Sequence, residues 1–312
     1  MKKTAALIAA TFLMCSAAHA ETAVSIGISG WTGFAPLTLA KQAGIFEKNG
    51  LDVTIKKIPQ ASRHLALASG DVQCAATTVE TWIVWNANGV PAIQIFQLDK
   101  SHGADGIAVR NDVSSVADLK GKTIAASAPG TSPYFFLAYI LKENGLTMKD
   151  VKVVNLEPGP AAQAFVAGQN DAAMTYEPYL STVRAAPDQG KILATTLEYP
   201  AVMDTFGCTP AFLKENPEAA KAFADSYFEA LEMIRAEPEK SYGIMGADVK
   251  QSAEAFAGSA KFLEWQDKAA NQTFFEGEFK TFSAKAADLL MEIGIIKTKP
   301  DLATIVDTSF IK

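Results

Sequence analysis

Hydrophobic residues recur along this chain with two spacings, and each change from one to the other marks an element. Val24 to Ser29 alternates with the period of a strand, Gly30 to Gly33 turns, and Pro36 to Gly44 takes the helical spacing until glycine stops it. Leu51 to Ile58 predicts a second strand, and Arg63 to Ala68 a helix ending at Ser69 and Gly70. Asp71 to Ala76 is a run of mostly small residues, the composition of a strand covered on both faces. Thr81 to Asn88 resumes the helical spacing, and Ile93 to Leu98 and Ile107 to Arg110 read as further strands.

The succession then starts again. Lys122 to Ala126, Val151 to Asn155, Asp171 to Thr175 and Lys191 to Ala194 read as strands, with helices at Pro133 to Glu143, Pro160 to Ala167 and Pro178 to Ala185 between them. From about Thr205 the pattern becomes mostly helical, with Phe223, Tyr227, Leu231 and Ile234 spaced to form one apolar face. Two strand–helix series and a helical tail predict an α/β chain of two lobes, each built on a mostly parallel sheet flanked by helices, with the tail packed back on them.

The beginning of the chain and its charge narrow the class. Lys2 and Lys3 precede an apolar run from Ala5 to Met14, and small residues lead to Ala18-His19-Ala20, the plan of a secretory signal peptide cleaved after Ala20. Bulky Phe12, Leu13 and Met14 argue against lipid attachment at Cys15. No later apolar run approaches the ~18 residues that span a bilayer, so no direct membrane anchoring is expected. Setting Lys2 and Lys3 aside, the 28 basic residues fall to 26 against 34 acidic ones, with no basic stripe, which excludes nucleic acid as an expected partner. Cys74 and Cys208 are too few for a disulfide scaffold, and the sequence leaves open whether they are bridged.

Four segments carry a resemblance: Ala40 to Gly50 (AKQAGIFEKNG) with Leu51-Asp52-Val53, Ala68 to Val72 (ASGDV), Leu119 to Ile124 (LKGKTI), and Ala167 to Pro178 (AGQNDAAMTYEP). In this order and spacing they resemble the solute-binding proteins of ABC importers for sulfonates, taurine, nitrate and thiamine-precursor pyrimidines. The resemblance implies a type II periplasmic binding protein fold, with two crossover strands as a hinge and a ligand trapped between the lobes by closure. It also implies a periplasmic location, a monomer, and the membrane permease of the importer as partner. Lobe one is expected at 21–109 and 207–312, lobe two at 110–206.

In open parallel sheets the strand C-termini and helix N-termini meet along one edge, which selects the candidate ligand residues. Trp31, Thr32 and Phe34 lie in the first such loop, where an aromatic face can stack on a ligand or simply cap the core. Thr77, Thr78 and Glu80 follow the small-residue strand, although Thr77-x-x-Glu80 also fits a capping box. Thr131, Ser132 and Tyr134 open a helix of lobe two, as an anion site or as an ordinary N-cap. Tyr176 and Glu177, before Pro178, match the aromatic-acid-proline motif of the resembled family. Asp105 and Asp204 near the crossovers, and Arg63 and His64, form a second tier.

His64 and His102 are the only histidines after residue 20, and neither has metal-ligand spacing. With no phosphate-cradling glycine motif or nucleophile elbow either, no cofactor, metal or catalytic residue is expected. Glu80, Asp105, Glu177 and Asp204 outnumber Arg63 and Arg110 in the cleft loops, so the expected ligand bears an amine, amidine or guanidinium group held between Glu80 and Glu177. The alternative is an alkyl sulfonate, taurine or another oxyanion at the helix N-termini. A second alternative is an enzyme of pyrimidine-precursor metabolism on the same scaffold.

Overall fold

Strand formation follows the alternation closely at the start of the chain. The computed structural model describes residues 21–312, so the expected signal peptide lies outside the described residues. The chain lays down β1 (Thr22–Ile28), β2 (Leu51–Lys57), β3 (Cys74–Thr78) and β4 (Ile93–Ser101). It continues with β5 (Asp105–Val109), β6 (Thr123–Ala126), β7 (Lys152–Asn155), β8 (Ala172–Tyr176) and β9 (Lys191–Thr195), then β10 (Met203–Cys208) and β11 (Leu263–Trp265). These form a six-stranded sheet, ordered β11-β4-β10-β3-β1-β2, and a five-stranded sheet, ordered β7-β6-β8-β5-β9. Strands β3, β5 and β10 are buried throughout, each lying between two neighbouring strands in the interior of its sheet.

Each sheet is mixed: the strand that follows each crossover is inverted, and in the first sheet so is β11 of the tail, antiparallel to β4. β10 runs antiparallel to β3 and β4, and β5 antiparallel to β8 and β9, while β2, β1, β3 and β7, β6, β8 pair in parallel. Sheet membership therefore moves the crossovers. Asp105–Val109 belongs to the second sheet and Met203–Phe206 to the first, so the chain changes lobes at 102–104 and 196–202, ahead of the expected boundaries at 109/110 and 206/207. Gly103, at φ 101°, makes the first crossing possible in a backbone region that side chains rarely tolerate.

Two local readings also shift. Strand β3 begins at Cys74, so Thr77 and Thr78 are its last residues, and the helical tail contributes β11 to the edge of the first sheet. The predicted apolar face of the tail is present in the helix Pro217–Ala236, which buries Phe223, Tyr227, Leu231 and Ile234. Phe223 packs at 5.0 Å from Phe206, which stacks on Phe96 at 5.1 Å, so this helix closes the first sheet over β10 and β4. Cys74 and Cys208 face each other in the β3–β10 pair and are joined as a disulfide. No helix among the described residues is long and apolar enough to cross a membrane.

Candidate functional site

Where the two sheet edges meet, polar side chains are buried in unusual density. Trp31, in the loop after β1, is 4% exposed and donates from its indole nitrogen to Asp99 Oδ1 at 3.1 Å. A Cβ at Gly33 would lie 2.3 Å from both Asp99 Oδ2 and Trp31 Nε1, so only glycine lets this pair form. The indole meets Tyr176 of the other lobe edge-on, with ring centroids 5.2 Å apart. Thr32 and Phe34 are buried beside it, and the Thr32 hydroxyl has no hydrogen-bond partner.

Carboxyl groups surround this aromatic pair on the lobe-one side. Thr78, not Thr77, holds the N-cap position, and its hydroxyl donates to Glu80 Oε1 without capping the helix, so the Thr77-x-x-Glu80 capping box that the sequence also allowed does not form. Burial raises the Glu80 carboxyl to about 8, against the pull of Thr78 and of the Ser132 hydroxyl, which lies near yet makes no hydrogen bond. Burial likewise raises Asp105 to about 7, with Glu177 adding to the effect. Asp204 and Asp99, opposite each other on β10 and β4, are both held well above the carboxylate range by burial, and their mutual repulsion adds to it for Asp204.

Arg63 is the buried cation of the cluster, at 1% exposure. Its guanidinium donates to the Ile58 and Ala76 carbonyls, and burial lowers it to about 10 despite support from Tyr176, Asp204 and Glu157. His64 points the other way, 6.2 Å from the Trp85 ring.

On the lobe-two side Ser132 opens the helix Ser132–Glu143, and its hydroxyl is buried without a partner. Thr131 holds the N-cap position, but its hydroxyl donates to Ala128 O at 2.7 Å instead of capping. Tyr134 is half-buried on the same first turn. Glu177 departs most from expectation. Its carboxylate is fully buried within lobe two, where Arg184 and the Ser181 backbone and hydroxyl occupy both oxygens, so it does not face Glu80. The motif selected the residue, but Arg184, at the end of the helix Tyr179–Arg184 that follows it, claims the charge.

A small space of about 20 Å³ lies between the lobes, lined by Trp31, Arg63, Asp105, Ser132, Tyr176 and Asp204. Three further residues were missed by sequence reasoning. Ser29 and Gln60 line the same space, and Asp99 holds Trp31. Asp99 carried a partial signal, an acid directly after the apolar Leu98 in a strand, because a buried carboxyl needs a partner. Gln60, at the start of a helix, carried none. Among the described residues no three His, Cys, Asp or Glu side chains are grouped to hold a metal ion.

This arrangement has counterparts among known proteins. The taurine-binding periplasmic protein of Escherichia coli (strain K12) is 31% identical over 224 residues, covering 70% of this chain and 68% of that protein. The alkanesulfonate-binding protein SsuA of Xanthomonas axonopodis pv. citri, solved with MOPS bound, superposes with a TM-score of 0.79 at 20% identity, over 93% of this chain and all 100% of that one. The periplasmic nitrate-binding protein NrtA of Synechocystis PCC 6803 does so with a TM-score of 0.76 at 18% identity, over 93% and 87% of the two chains. The two crossed lobes are thus those of periplasmic binding proteins. Residues 31–241, from the first cleft loop through both crossovers into the tail, match the family described as NMT1/THI5 like, and to that family this chain belongs.

Proposed function

We propose that the chain is the periplasmic solute-binding component of an ABC importer and that its ligand is a small zwitterion, carrying a sulfonate-type oxyanion and an amino group, as taurine does. The observation that carries this reading is the mixed lining of one small space between the lobes: the carboxyls of Asp105 and Asp204 beside the guanidinium of Arg63 and the unpartnered hydroxyl of Ser132. The carboxyls accept from the ammonium group, while Arg63 and Ser132 donate to the oxyanion. Charge-assisted hydrogen bonds of this kind are worth ~1.5–3 kcal/mol each. Trp31 and Tyr176 cover the short carbon link between the two ends.

A purely cationic ligand fits less well than the sequence suggested. Glu177 already has its counter-ion in Arg184, and the relatives named for a ligand include binders of taurine, alkanesulfonate and nitrate. Thermal denaturation with added taurine, ethanesulfonate, ethylamine or guanidinium tests the reading. At 100 times its dissociation constant a ligand adds ~2.7 kcal/mol, a rise of roughly 5 °C or more in Tm for a chain of this size. Taurine should give the largest rise. A larger rise with guanidinium or ethylamine would refute the oxyanion requirement.

A further inference from the structure

Gln60 is the first residue of the helix Gln60–Ala68 in lobe one, yet its side chain reaches lobe two. Its amide nitrogen donates to Thr77 Oγ1 at 2.7 Å and to Thr81 Oγ1 at 3.0 Å, and its amide oxygen accepts from the backbone nitrogen of Ser132 at 3.1 Å. The orientation of this amide is chemically fixed. A backbone N–H can only donate, so the oxygen must face Ser132, and the threonine hydroxyls take the nitrogen.

The partner in lobe two is equally particular. Ser132 opens a helix whose next residue, Pro133, has no N–H, and the Phe135 N–H is already bonded to Thr131 O at 3.0 Å. Ser132 and Tyr134 are therefore the donors that this helix end can offer, and Gln60 takes the first. Lys142 with Glu292, a polar pair joining the lobes at the far end of the same helix, is exposed at 44% and 54% and contributes little.

We propose that Gln60 is the clasp of the closed state: a positioning residue that joins the lobes whatever ligand lies between them, and so sets how long any ligand is held. This goes beyond the proposed ligand but rests on the same cleft. A bond made only on closure adds to the closed population and slows reopening, while leaving encounter with the open form unchanged.

Two measurements on the whole mature chain test this, using Gln60→Met, which keeps the length of the side chain and removes its amide. Gln60→Asn, one methylene too short to span the lobes, guards against a misfolded first variant. In stopped-flow experiments with taurine and with ethanesulfonate, both variants should dissociate about five-fold faster than wild type, equivalent to one net hydrogen bond of about 1 kcal/mol, with unchanged association rates. Spin labels at exposed Gln42 and Glu143, one on each lobe, should show a longer mean separation in the variants with no ligand added. If wild type binds neither compound, the ligand assignment fails while the label distances still decide the clasp. Unchanged distances, or an off-rate factor that differs between the two ligands, would overturn it, the latter by making Gln60 a ligand contact.

Discussion

Burial keeps the Glu80 carboxyl protonated up to about 8 and that of Asp105 up to about 7, so the cleft titrates where exposed carboxylates are fully charged. The sign of the consequence follows from proton counting. Between the unfolded values near 4 and these folded values the native chain binds protons that the unfolded chain has released, so stability falls as pH rises through that window. Each unit of pH over which one such group is protonated only in the folded state is worth about 1.4 kcal/mol. The carboxyls held low, Glu47, Asp118, Asp150, Glu198 and Asp267, act below this window and do not reverse the trend. Tm should drop by several degrees from pH 5.5 to pH 8, and Glu80→Gln should flatten that dependence. A Tm that is flat or rises over this range would contradict the buried protonated cluster. Legibility at this scale was uneven. Glu80 and Asp204 could be chosen because strand ends at a sheet edge meet the ligand, whereas the fate of Glu177 depended on Arg184, a partner that charge counting treats as solvent.

Strands β3 and β10 carry the site from lobe one. Their register sets Asp204 opposite Thr78, Thr205 opposite Thr77 and Cys208 opposite Cys74, so the disulfide ties the far end of the ladder whose near end bears cleft residues. It closes a loop with a sequence separation of 134. Chain-entropy reasoning for a loop of this length gives about 5 kcal/mol, against the roughly 2–4 kcal/mol that disulfides typically contribute. Thiol titration of the denatured, unreduced mature chain should find no free cysteine, and Cys74→Ser with Cys208→Ser should lower Tm by several degrees. Two titratable thiols would remove the bridge from this account. The sequence left this pairing open because two adjacent strands rarely give a pair of cysteines the Cα separation and side-chain direction that a bridge requires. The crossover strands were assigned to the wrong lobe for a related reason. Alternation identifies a strand, but β5 and β10 carry nothing in their own pattern that says which sheet they join.

At the scale of the molecule, two α/β series in one chain were legible as two lobes because each repeats strand, helix and glycine stop. The ligand was less legible, since its charge depends on which of several acids remain unpaired after folding. The space between the lobes, about 20 Å³, is smaller than taurine. Binding of the proposed ligand is therefore expected to part the lobes along the crossings at 102–104 and 196–202 before they reclose. Titration calorimetry of the mature chain with taurine and with ethanesulfonate, repeated on Asp204→Asn, tests the central claim most directly. The account predicts that wild type binds taurine at least tenfold more tightly than the amine-free sulfonate, and that Asp204→Asn removes most of this difference. Equal affinity for the two compounds in wild type, or binding of guanidinium with no heat from taurine, would contradict it.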